Sequence, residues 1–150
     1  MSKFVLAGDL MTPKIWLTPD GGFAVKLANN TGSLIKKGSA LAASPNHDNS
    51  VILQTTEYDC AGIAYEDIAD GAEGWVVTTG VCDALLADST AAVRGYWAKG
   101  AATDGRIEVT TAPSGIGALS TSEHFREVGH CLETKSAGTD VLVKILLHFL

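Results

Sequence analysis

EVGHCLETKSAGTDVLVKILLHFL, residues 127–150, is the stretch on which the fold turns. As a helix, its apolar end would suggest an anchor; as a strand, it would close a sheet. The run 141–150 is too short to cross a bilayer, which takes about 20 apolar residues, and it carries Lys144 and His148. Side chains alternate along a strand, so Val141, Val143, Ile145, Leu147 and Phe149 make one wholly apolar face. Leu142, Lys144, Leu146, His148 and Leu150 make a mixed one. A helix is the rival reading, since Lys144 and His148 are four apart and would share a helical stripe. Length, β-branching and the preceding turn-rich LETKSAGTD favour the strand. The same parity sets Val128, His130 and Leu132 on one face of the strand before it. Glu127, Gly129, Cys131 and Glu133 fall on the other.

The rest of the chain has the same character. Sixteen glycines are spread over 150 residues and no long helical period occurs, which points to short strands joined by turns. The clearest hairpin runs from KIWLT through Pro19-Asp20-Gly21-Gly22 to FAVKL. It places Ile15 and Leu17 on one face and Trp16 with Lys14 and Thr18 on the other. Strands are also expected on both sides of Gly38, over 51–55, 60–65 and 74–82, and as a pair on either side of Thr103-Asp104-Gly105. Within 74–82, Trp75, Val77, Thr79 and Val81 should share a face. Asp88 or Ser89 can cap the start of one short helix over 88–93. The expected architecture is all-β: a compact, mainly antiparallel barrel or sandwich over 14–150, an extended N-terminal arm over 1–13, and at most one short helix.

Composition narrows function by exclusion. A net charge of −6 with eleven scattered Lys and Arg argues against nucleic acid as a partner. Neither a signal peptide nor a membrane partner is expected. Cys60, Cys82 and Cys131 are odd in number and form no CxxC, consistent with reduced thiols packed as small hydrophobes. Phosphate-loop, nucleophile-elbow and zinc-protease motifs are missing from the sequence, and Glu66, Asp67, Asp70 and Glu73 lack the spacing of a calcium loop. The best metal or nucleophile candidate is His130-Cys131 with His124 and His148. Neighbours on a strand point to opposite faces, so His130 and Cys131 share an ion or a proton only across a bulge. No catalytic residue, metal or cofactor is therefore expected. Trp75 and Trp97 suit a core or a subunit contact, whereas Trp16 is a candidate partner contact.

The blocks KLANNTGSLIKKGSALAAS (26–44), CAGIAYEDIADGAEGWVVTTGVCDALLADSTAAVRGYWAK (60–99) and HFREVGHCLETKSAGTDVLVKILLHFL (124–150) resemble the small β-barrel decoration (cement) proteins, or head-fibre bases, of tailed phages. The resemblance spans roughly 24–150 and rests on phrases such as GIAYEDIADGAEGWVV and REVGHCLET. It implies a non-enzymatic virion protein that is made in the host cytoplasm and coats the outer surface of an assembled capsid. The major capsid protein and further copies of the same chain, as a trimer, would be its partners. On that reading residues 3–12 form the capsid-contacting arm, with Lys3, Phe4, Val5, Leu6, Leu10 and Met11, and with Trp16 as anchor. Leu142, Lys144, Leu146, His148 and Leu150 would form the subunit seam. The rivals are another virion part, such as a tail-tube, head-completion or receptor-binding module, and a small metal-binding or enzymatic barrel using His130 and Cys131.

Overall fold

A computed structural model describes residues 14–111 and 126–148. Its elements are ten strands: β1 (Ile15–Leu17), β2 (Gly22–Asn29), β3 (Ala40–Ala43), β4 (Ser50–Leu53), β5 (Gly62–Ala64), β6 (Glu73–Leu85), β7 (Trp97–Gly100), β8 (Ile107–Thr110), β9 (Glu127–Cys131) and β10 (Leu142–Leu147). The all-β class expected from the sequence is the one observed. The pairing order is β1-β2-β4-β3-β5-β6-β10-β9-β7-β8, and β2 also pairs with β6. That extra pairing closes a circuit of five strands, β2-β4-β3-β5-β6, antiparallel except between β2 and β4.

The thirteen-residue strand β6 links two parts of one ten-stranded sheet. Its first half pairs with β2 and β5, and its second half, from Gly80 to Leu85, pairs with β10. From β10 the sheet continues through β9, β7 and β8, and a bridge between Leu86 and Ile107 brings β8 back to the end of β6. Two cores follow from this arrangement. Leu41, Val51, Ala64 and Val76, with Ile35 and Ile68, cluster on one face of the five-stranded circuit. Residues on the opposite face, including Ala24, Ile63, Trp75 and Val77, join the larger cluster formed by Cys82, Ala84, Ile107, Val128, Cys131, Val143, Ile145 and Leu147.

The final run is a strand: Val143, Ile145 and Leu147 are fully buried, as their parity required. The first hairpin also forms, with Trp16 opposite Ala24. Its inward face is the one bearing Trp16, leaving Ile15 and Leu17 exposed. The segment before Gly38 contributes one bridge, between Ile35 and Ile68, in place of a strand. No helix forms over 88–93. Ser89 takes a left-handed backbone conformation that interrupts helical geometry, and Ala92 is bridged to Lys135.

Two parity expectations fail for one reason. The β2–β6 register shifts between Phe23 and Ala24, which oppose Thr79 and Val77, so Thr78 is an extra residue in β6. Trp75 and Val77 therefore face the core with Cys82 and Ala84, while Thr79 is exposed and Val81 is only half-buried. Likewise β7 steps from Ala98 to Lys99 while β9 steps from Gly129 to Glu127, making Val128 the extra residue. Val128 accordingly joins the core, away from His130's face, and Glu127 is displaced from the face of Gly129 and Cys131.

Candidate functional site

The residues expected to meet partners fall in two places. Of the arm set, Lys3, Phe4, Val5, Leu6, Leu10 and Met11 lie outside the described residues, as do His124 and Leu150. Trp16 is half-buried, packed edge-on to Tyr65 with ring centroids 5.0 Å apart and tilted against Trp75 at 5.5 Å. Beside it, Lys14, Ile15, Val25, Lys26, Asn49 and Glu73 line a shallow cleft. Lys14 donates to Glu73 at 2.6 Å and holds that carboxyl below its usual range.

The second place is the outer face of the sheet β6-β10-β9-β7. Register aligns Trp97, His130, Leu146 and Val81 in one row across these four strands. Paired residues share a face, so the row is a consequence of register alone. Leu146 is 41% exposed, and the indole of Trp97 stands edge-on to His130 at 6.2 Å. Leu142 lies half-buried over Gly38. Lys144 pairs with Asp83 at 3.1 Å, and Lys37 reaches the same carboxylate at 3.2 Å. Burial opposes charge on Asp83, but the hydrogen bonds and charges of these two ammonium groups hold its carboxyl below the usual range. Lys144 also approaches Asp20 at 3.7 Å, tying the turn of the first hairpin to β10. Of the seam set, Lys144 is thus engaged within the chain, while Leu146 presents apolar surface to solvent.

His148 is engaged too. Nδ1 of His130 lies 2.9 Å from Nε2 of His148, with the rings stacked at 5.1 Å. Oε1 of Glu127 is 3.7 Å from the first nitrogen and 3.6 Å from the second. The bulge at Val128 produces this cluster by turning Glu127 onto the side of His130, three residues on. Reading β9 as an unbroken strand misses Glu127. Gly129, a glycine inside a strand, was the available signal of a bulge.

The thiols sit elsewhere. Cys131 faces the core, and burial, with a smaller contribution from Glu133, pushes its thiol up to about 11. Burial likewise pushes Cys60 and Cys82 up to about 12. Nucleophilic cysteines require the reverse shift.

No protein-family model matches the chain, and no curated protein matches it. Among solved structures, the fold is similar to that of the head fiber gp8.5 N base in bacteriophage phi29. The TM-score is 0.59 at 16% sequence identity, over 83% of this chain and 94% of the other. At this identity the likeness establishes a shared fold.

Proposed function

We propose that the chain is a structural protein of a tailed-phage virion that binds the outer surface of the assembled capsid and stabilises it, acting as a homo-oligomer, in the first instance a trimer. The observation that carries this reading is the fold likeness to a phage head-fibre base, which spans nearly all of that domain. The sequence phrases resembling capsid decoration proteins point the same way. Such a protein requires no catalytic group. What it requires is a rigid body, a seam between copies and a segment that meets the shell. In this chain we assign those parts to the ten-stranded body built around β6, the outer face bearing Leu146, and residues 1–13 with the Trp16 hairpin. Contacts bridging neighbouring capsomers stabilise the shell by mass action, because they are made in the assembled state and lost on disassembly.

The test is to mix the purified chain with expanded capsids lacking it, then sediment and image the particles. Regularly spaced copies over the shell, with raised resistance to heat, are expected. Failure to bind, or density confined to the tail or the portal vertex, would overturn the decoration reading. A second reading, in which the domain is the base of a fibre, is favoured by what the similar structure is. The same images separate the two, since a base carries a projecting stalk.

A further inference from the structure

We propose that Glu127, His130 and His148 form a binding site for one divalent transition-metal ion of the zinc class, stapling the end of β10 to the bulge of β9. This stands apart from the virion reading. A four-coordinate zinc ion with bonds of 2.0–2.1 Å sets its ligand atoms about 3.4 Å apart. Here the carboxylate oxygen already lies 3.6 and 3.7 Å from the two imidazole nitrogens. The nitrogens, 2.9 Å apart, need to separate by roughly half an ångström to match that geometry. At their present spacing they share one hydrogen bond, which an ion would replace by two coordinate bonds.

The Glu127 carboxylate makes the cluster more than a chance meeting of surface histidines. Its side chain is only 4% exposed, and the ion pairs it makes among the described residues are with these two imidazoles. A carboxylate buried to this degree is costly unless a positive charge matches it, and a divalent cation would supply that charge. The imidazoles themselves are 40% and 30% exposed, so an ion can enter from solvent and a water can complete the fourth position. Two imidazoles and one carboxylate suit zinc and its first-row neighbours, not calcium or magnesium, which favour all-oxygen shells. The cysteines are not part of the set, since Cys131 points into the core.

The test uses the full chain, stripped with chelator and titrated with zinc chloride by calorimetry, and with cobalt chloride by visible absorption. One ion per chain, a rise in Tm with zinc, and cobalt bands of a nitrogen-oxygen site are expected. His148→Gln, at the edge of the fold, should weaken zinc binding at least tenfold and abolish the zinc-dependent rise in Tm while leaving the metal-free Tm nearly unchanged. Glu127→Gln should weaken binding similarly. Absence of stoichiometric binding, unchanged affinity in His148→Gln, or a sulfur-to-cobalt charge-transfer band would overturn the assignment.

Discussion

Gly129 shows how much one missing side chain can specify. A Cβ built there overlaps the carbonyl oxygen of Leu146 on the neighbouring strand, so the approach of β9 to β10 leaves room for hydrogen alone. Gly129→Ala must move one strand or break their pairing, and a loss of about 3 kcal/mol is expected in urea denaturation, the upper range for overpacking. A loss within 0.5 kcal/mol, roughly the scatter of neutral surface changes, would show that the strands can separate freely. Gly80 has a comparable role in β6, where a Cβ would strike the carbonyl of Gly21 in the hairpin turn. Charge pairs contribute less. The Asp83 carboxyl is held below its ordinary range, so its stabilisation is present above the unfolded value near pH 4 and is lost as pH falls through the folded one. Burial works to lower the pKa of Lys144, but Asp83, Asp20 and Glu133 outweigh it and the net shift is upward. Its contribution is therefore present below about pH 10.4 and lost as pH rises through the folded value. Both groups are partly solvated, so Asp83→Asn should cost no more than about 1 kcal/mol at pH 7. It should also flatten the acid limb of a stability profile measured between pH 3 and 7.

At the scale of elements, adjacent positions on β10 should answer very differently. Ile145 is fully buried in the larger core, and Ile145→Ala should cost about 2–5 kcal/mol, read as a lower denaturation midpoint. Leu146 faces outward beside it, so Leu146→Asp should leave the isolated fold within about 0.5 kcal/mol of the parent. If this face is the subunit seam, the same change should yield monomers by light scattering; an intact trimer would refute the seam. Strand parity made β10 legible from its residues, because nothing interrupts its alternation. It failed in β6 and β9, where Thr78 and Val128 are extra residues that reverse the faces on one side of each bulge. That reversal hid the Glu127–His130–His148 cluster, although all three residues were in plain view. The five-stranded circuit was hidden for a different reason. The parallel β2–β4 pairing and the double use of β6 depend on long-range register, which local pattern does not encode.

For the whole molecule, the shared strand β6 has a mechanical consequence. Because it runs through both parts of the sheet, with its two halves hydrogen-bonded to different partners, one part cannot tilt against the other without breaking a ladder. A body of this kind transmits load, which is what the proposed capsid-binding role would ask of it. On the proposed capsid-binding reading, a segment that orders on its partner would give up conformational entropy on binding, and many linked copies would make up for a modest affinity per site. If the proposed role holds, deleting residues 2–12 should leave the fold and any oligomer intact while abolishing binding to expanded capsids. Circular dichroism and light scattering read the first part, and co-sedimentation with capsids the second. Truncated chains that still decorate the shell at full occupancy would move the contact from the arm to the body, where Ile15 and Leu17 of the first hairpin are the exposed apolar residues closest in sequence.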